Sequence, residues 1–214
     1  MAQARSAIGS RPVWHEQRPK VSRRNVVIPV VAEKSRGEDQ EMILRSILAE
    51  SFVEFLASCG QSAELVDEPD HVPVGEHHVA GFIGFTGVTR GSLVITASSA
   101  LYRITYPLGP GTSMATSPGD ILDWAREMAN QTLGRVKRRF CQRGVDFDVT
   151  TPSAVSGSQI ERRRSRPGVL DLLFRIGAEA ISVGFEIVMP DDGVIFRHNA
   201  APIPCSSEGD VVMF

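Results

Sequence analysis

The period of apolar positions changes along the chain, and each change marks an element. Over residues 39–58, Leu44, Ile47, Leu48, Ser51, Phe52 and Phe55 recur at spacings of three and four, which predicts a helix with one buried face. Gly60 follows as a stop, since glycine readily takes the left-handed conformation past a helix end. Ahead of this helix, residues 25–32 (NVVIPVVA) form a short apolar run broken by Pro29, at best an edge strand. Behind it, Ala63 to Gly75 is acidic and interrupted by Pro69 and Pro73, an irregular strand or loop. From His78 to Thr96 the pattern is that of a hairpin: a strand HVAGFIGFTG, a turn at Val88–Gly91 and a return strand Ser92–Ala97. Its glycines, at 81, 84, 87 and 91, permit close backbone approach and bulges, but lack the G-x-G-x-x-G spacing of a dinucleotide loop.

Residues 98–106 suit a short helix, and Pro107–Pro118 reads as a connecting loop. A second long helix then opens with Ser117 as N-cap, Pro118 in the first helical position and Asp120 in the first turn. It extends to about Cys141, with Arg135, Lys137, Arg138 and Arg139 near its negative pole and Gly144 as the stop. Strand-like segments follow at Val145–Thr151, Val169–Ile176 and Ala180–Val188, and little after Pro190 has the pattern of a packed segment. The chain divides into an N-terminal arm (1–37), one folded domain (38–190) and a C-terminal extension (191–214). Within the domain, the order of long helix followed by paired strands occurs twice. That order predicts an α+β domain: two long helices on a mainly antiparallel sheet, with pseudo-duplicated helix-plus-strands halves.

Composition narrows the setting. The 214 residues are 42% hydrophobic and 22% charged with net charge −2, values of an ordinary globular protein. No apolar run reaches the ~18–20 residues of a membrane-spanning helix, so membrane insertion is not expected. No secretory signal is visible, and the three cysteines (Cys59, Cys141, Cys205) are widely spaced and odd in number. These features argue against a disulfide scaffold and for a reducing, cytoplasmic setting. Charge is uneven: Arg5, Arg11, Arg18, Lys20, Arg23 and Arg24 against Glu16 give residues 1–24 a charge of +5, leaving −7 for the rest. The arm reads as a solvated, disordered tail, and the acidic body is not expected to bind nucleic acid.

The second helix carries two faces. At ~100° per residue, Leu122, Ala125, Ala129, Leu133, Val136 and Phe140 share the apolar side, flanked by Ile121 and Thr132. Asp123, Glu127, Asn130 and Gly134 gather on the opposite, solvent-facing side within reach of one partner surface. A mid-helix glycine costs ~1 kcal/mol relative to alanine. On a polar face Gly134 has no packing reason, but it would let another molecule approach the Glu127/Asn130 pair. An ordinary wet face accounts for the same residues. Glu-x-x-Asn alone is a weak motif in a chain with three asparagines and fourteen glutamates.

The context strengthens it. The glycine-punctuated segment GFIGFTGVTRGSLVITASSALYRI resembles the first half of the CheC/CheX/FliY chemotaxis phosphatases. ILDWAREMANQTLGRVKRRF resembles their signature helix, Asp/Ser-x-x-x-Glu-x-x-Asn, matched by Asp123, Glu127 and Asn130. Pro152, in TPSAVSG, stands close to the place of a proline that follows this helix in the family. The resemblance covers about residues 38–190. CheC-like members often carry a second Glu-x-x-Asn in the first helix. Here Glu50-Ser51-Phe52-Val53 and Glu54-Phe55-Leu56-Ala57 lack the asparagine, so a single site and a CheX-like member are implied.

What the resemblance implies is hydrolysis of the aspartyl phosphate on a CheY-like response regulator. Asn130 would orient the attacking water, and Glu127 would pair with the regulator's active-site lysine. Asp123 and Gly134 would serve docking. The phosphatase would need no cofactor or metal of its own, Mg²⁺ residing on the regulator, and the family leads one to expect a homodimer. The alternative is a non-catalytic module of the same fold that docks response regulators or chemotaxis and flagellar proteins. A more distant reading, a nucleic-acid adaptor acting through the basic arm, predicts salt-dependent binding lost on deleting residues 1–24.

Other signals are weaker. Asp70, His71, Glu76, His77 and His78 are ligand types without ligand spacing, since adjacent strand histidines face opposite ways. Cys59 and Cys141 fall near helix ends, which are more often packing positions than nucleophile positions. Arg162, Arg163, Arg164 and Arg166 read as a solvated turn.

Overall fold

The computed structural model describes residues 31–66, 78–107, 117–158, 160, 168–188, 195–196 and 200–205. Its elements are α1 (Val31–Ser58), β1 (Glu64–Val66), β2 (His78–Gly87), β3 (Arg90–Ser98), α2 (Ser99–Thr105), α3 (Pro118–Cys141), β4 (Phe147–Val149), β5 (Ser153–Gly157), β6 (Val169–Ile176) and β7 (Glu179–Val188).

Local chemistry sets the ends of both long helices. At the start of α3 the Ser117 hydroxyl accepts from the Asp120 amide at 3.1 Å, and the Asp120 carboxylate accepts from the Ser117 amide at 3.2 Å. This capping box, with Pro118 at the first position, satisfies donors that the helix itself leaves open. The two helices also end alike. Gly60 N–H bonds Ala57 O and Gln61 N–H bonds Leu56 O, while Gly144 N–H bonds Cys141 O and Val145 N–H bonds Phe140 O. Both are Schellman closures, with glycine at φ 75° and 76°.

The strands form one antiparallel sheet in the order β1-β6-β7-β3-β2-β4, with β5 also pairing β2 beyond β4. This order expresses the duplication foreseen from the helix-plus-strands order. Exchanging β1 with the β4/β5 edge, β2 with β6 and β3 with β7 returns the same sheet read backwards. Each half gives its first strand to the other half's hairpin: β1 pairs β6, and β4 and β5 pair β2. The helices cross over in the same way, α1 packing near β6 through Phe52 and Phe174 (ring centroids 4.8 Å apart) and α3 lying on β2. The α+β architecture with two long helices on a mainly antiparallel sheet therefore stands as read from the sequence.

The core lies between the sheet and the two helices. All six residues of the foreseen α1 face are buried, together with Leu56. Alternate positions of β3, β6 and β7 meet them: Leu93, Ile95 and Ala97; Leu170, Leu172, Phe174 and Ile176; Ile181, Val183, Phe185 and Ile187. On β2 the inward series is Val79, Gly81, Ile83 and Phe85. Gly81 has no side chain because there is no room for one: a Cβ there would stand 2.1 Å from the Ala125 carbonyl oxygen of α3.

Several expectations need correction. Leu122, placed in the core stripe of α3, is only half-buried, whereas Trp124 and Met128 are buried. The stripe is turned because α1 and α2 wall the Trp124 side: its indole packs 5.8 Å from both Phe55 and Tyr106, and Nε1 donates to Thr105 Oγ1 at 3.1 Å. The strand expected at Val145–Thr151 is the three-residue β4. Pro152, which has no N–H, separates it from β5, and Thr150 fills the gap by bonding Gly84 from its own amide at 2.9 Å and its hydroxyl. Val31 and Ala32, assigned to an edge strand, open α1 instead; residues 25–30 lie outside the described residues.

The segment after Pro190 also packs more than its sequence suggests. Ile195 and Phe196 are each only 6% exposed, and Phe196 meets Phe140 edge-on at 4.8 Å. The Gln40 amide of α1 reads their backbone, accepting from Ile195 N and Phe196 N and donating to Phe196 O. A buried amide with all these bonds made is a specific clasp between the C-terminal segment and α1.

Gly81→Ala should destabilise the domain by about 2 kcal/mol or more, because the clash is with helix backbone that cannot rotate away. Gly119→Ala, where the added methyl meets only the Ser117 hydroxyl at 3.6 Å, should be neutral or slightly stabilising. Denaturant midpoints of the two variants check this; equal midpoints would contradict the packing described.

Candidate functional site

The exposed ridge of α3 carries the four polar-face residues that the helical period grouped together. Asp123, Glu127, Asn130 and Gly134 fall within about 60° of arc on the helix, on the side away from Ala125, Ala129 and Leu133. Asp123 is the outermost, its side chain 75% exposed and paired with Arg126 one turn on. Glu127 and Asn130 are half-buried, and Gly134 is exposed with open space where a Cβ would project.

Glu127 does not stand alone. Its Oε1 accepts from Gln131 Nε2 at 2.7 Å, and Gln131 Oε1 accepts in turn from Arg135 Nη1 at 3.1 Å. Arg135 is itself held: Nη2 donates to Ser58 Oγ at 3.2 Å, and its guanidinium lies 5.5 Å from the centre of the Phe55 ring. This chain runs from the end of α1 to the Glu127 carboxylate and narrows its rotamer choice. A carboxylate has several acceptor sites, so the bond to Gln131 leaves Glu127 able to take a cation from outside.

Asn130 faces a different neighbourhood. With Gly134, Arg135 and Arg138 it forms one wall of an open groove of about 510 Å³, whose other wall is Thr150, Thr151 and Pro152 between β4 and β5. Among the described residues the Asn130 amide makes no hydrogen bond, so both its donor and acceptor are open to a molecule in the groove. The structure thus brings Asn130, Gly134 and Pro152 together, although 22 residues of sequence separate Asn130 from the proline. Glu127 and Asp123 stand further up the ridge, outside the groove lining.

The cations of α3 are largely tied to α1. Arg139 pairs with Glu50 at 3.2 Å and Glu54 at 3.0 Å, and Arg138, its side chain 59% exposed, lies 3.8 Å from Glu54. Sequence reasoning missed the groove's second wall and the Gln131–Arg135 chain. The i, i+4 spacing of Glu127, Gln131 and Arg135 was the available signal for the chain. Nothing local signals the wall, because β4 and β5 reach α3 only by pairing with β2.

The remaining candidates separate from this ridge. Cys59 is half-buried, and burial pushes its thiol above the ordinary value despite the opposing influence of Ser58 and Arg135, which is the wrong direction for a nucleophile. His78 lies in β2, buried, with Nδ1 unpaired, and no group of three or more metal-ligating side chains forms among the described residues. Asp70, His71, Glu76, His77, Arg162, Arg163, Arg164 and Arg166 lie outside the described residues. No helix among the described residues is long and apolar enough to cross a membrane.

Comparison with known proteins agrees with the fold. Residues 79–171, which include β2 from Val79 onward, β3, all of α3 and the β4–β5 wall, match the family model of the chemotaxis phosphatase CheX. The chain is similar in structure to the chemotaxis protein CheX from Vibrio vulnificus (TM-score 0.58, 23% identity, 68% of this chain and 96% of that one). It is also similar to a CheC-like superfamily protein from Shewanella sp. PV-4 (TM-score 0.55, 20% identity, 68% and 97%). A third such structure is the chemotaxis protein CheX from Desulfovibrio desulfuricans (TM-score 0.54, 16% identity, 68% and 99%). A search of curated proteins finds no match. The family match across α3 and the swapped-strand fold point the same way: this chain has the fold of the CheX and CheC-like proteins.

Proposed function

We propose that this protein hydrolyses the aspartyl phosphate of a CheY-like response regulator, with the α3 ridge as the catalytic and docking surface. The observation that carries the reading is the Asn130 amide: unpaired among the described residues, half-buried, in a groove wall, and one turn from a carboxylate held by its own helix. In hydrolysis of an acyl phosphate, water oxygen bonds to phosphorus while the phosphorus–oxygen bond to the aspartate breaks, leaving inorganic phosphate and a free carboxylate. Catalysis of this step is largely a matter of placing the water in line. Asn130 supplies a fixed acceptor and a fixed donor for that water. The regulator carries the Mg²⁺ that neutralises the phosphoryl oxygens, so the phosphatase brings no metal.

Glu127 takes the regulator's active-site lysine while Gln131 keeps the carboxylate aimed, an ion pair that sets register more than affinity. Asp123 acts at the periphery of the same docking face. Gly134 leaves the space beside Asn130 into which the regulator's backbone or phosphate can come. A cytoplasmic location and a homodimer accompany this reading as expectations from the family.

Asn130→Ala should lower stimulated dephosphorylation by about 100-fold, with the thermal midpoint unchanged, since the amide makes no structural bond. Glu127→Ala should lower kcat for the phosphorylated regulator more than it raises KM, because the pair sets register more than affinity. Gly134→Ala should stabilise the fold by up to ~1 kcal/mol, having open space for the methyl, while weakening docking. Steady-state phosphate release and thermal melts of the three variants check these outcomes. Regulator binding without acceleration by the wild-type protein would support the docking-module alternative, and full activity of Asn130→Ala would overturn the assignment of the water-orienting group.

A further inference from the structure

Three cysteines at wide spacing gave no pairing from sequence, yet the fold brings two of them together at the C-terminal end of α3. The described residues of the C-terminal segment, 195–196 and 200–205, lie along that end as a strap. Phe196 packs between Phe140 and the Arg143 guanidinium, the latter 5.9 Å from the ring centre. Ala200 and Ala201 lie over Gly144, where an added Cβ would stand 2.9 Å from Ala200 Cβ and 3.0 Å from Ala201 O. Ile203 N–H then bonds the Cys141 carbonyl at 3.0 Å. Finally Cys205 directs its thiol at the Lys137 carbonyl, 3.9 Å away, the acceptor one helical turn before Cys141. The Lys137 carbonyl is the acceptor that the Cys141 amide faces along the helix, and Ile203 bonds Cys141 O, so Cys205 is placed beside Cys141.

We propose that Cys141 and Cys205 are a redox pair whose disulfide latches the C-terminal strap to α3. The two thiols have different exposure and therefore different parts. Cys205 is exposed and is the one an oxidant reaches; Cys141 is 2% exposed and waits beneath it. Burial, reinforced by Cys205 and the Asp146 carboxylate, holds the Cys141 thiol well above the ordinary value, which keeps it in the less nucleophilic protonated form. Its proton has an acceptor in place, since Asp146 Oδ1 lies 3.6 Å from Cys141 Sγ, with the Lys137 ammonium 3.5 Å from the same oxygen.

With a small-molecule disulfide as oxidant, the Cys205 thiolate attacks one sulfur and releases the other as a thiolate. The Cys141 sulfur then attacks the Cys205 sulfur of the mixed disulfide and displaces the second small-molecule sulfur, which takes the Cys141 proton by way of Asp146 and leaves as a thiol. Two cysteine thiols are oxidised and one disulfide is reduced to two thiols, so the exchange balances. The product closes a loop of 65 residues containing β4 to β7 and fixes the strap whose other end Gln40 clasps to α1.

The test uses the full-length protein equilibrated with excess glutathione disulfide, quenched in acid and digested without reduction. The expected product has no disulfide between chains, is about 2 Da lighter per chain, contains a Cys141–Cys205 cross-linked peptide and leaves Cys59 alone open to alkylation. Its melting temperature rises by roughly 5–10 °C and returns on adding dithiothreitol, and Cys205→Ala, a change at an exposed position, abolishes the rise. The proposal is overturned if Cys205 accumulates as a stable glutathione adduct with Cys141 still free. It is equally overturned if Cys205 links two chains, or if neither thiol reacts.

Discussion

The approach of α3 to β2 at Gly81 is the contact on which the rest of the structure depends. With no side chain on Gly81 and only methyls on Ala125 and Ala129, helix backbone settles directly onto strand backbone. A helix seated this low turns Trp124 and Met128 sideways into the core and leaves Asp123, Glu127, Asn130 and Gly134 as a ridge pointing outward. It also puts Asn130 level with Thr150–Pro152, because those residues hang on the same strand, β2, that receives the helix. A bulkier residue at position 81 would lift α3 and open the groove wall along with the core. Stability and site geometry thus rest on one close contact.

Among the described residues the two equivalent helices of the pseudo-duplication are put to different uses. α1 and α3 occupy equivalent places, each over the other half's hairpin and each closed by a glycine in the same Schellman geometry. The α1 counterpart has been turned to a structural use. Glu50 and Glu54, which would begin a second Glu-x-x-Asn, instead bind Arg138 and Arg139 of α3, and Ser51 and Ser58 accept from Arg139 and Arg135. One helix anchors and the other presents. The Arg135–Gln131–Glu127 chain joins the two roles, carrying the position of α1 to the carboxylate on the ridge.

What was legible in the sequence was whatever is decided within a few residues. Ser117-Pro118 with Asp120 set the start of α3, Gly60 and Gly144 set the helix ends, and the alternation around Val88–Gly91 set the hairpin; all are local hydrogen-bonding or conformational effects. The ridge followed from helical period alone. Illegible were the features made by distant segments meeting. Trp124 is buried because α2 and Phe55 arrive beside it, and the second groove wall exists because β4 and β5 pair β2. Ile195 and Phe196, in a polar and proline-rich stretch, pack only because Gln40 offers a matched amide 155 and 156 residues away. The Cys141–Cys205 contact is hidden in the same way.

The central claim is that the Asn130 ridge acts on phosphorylated receivers, and its most direct measurement is the decay of phosphate on each CheY-like receiver of the host with and without the wild-type protein. The account predicts that at least one receiver loses its phosphate faster in proportion to added protein, with inorganic phosphate as the product. If every receiver decays at its intrinsic rate across the full range of protein concentration, the account is contradicted.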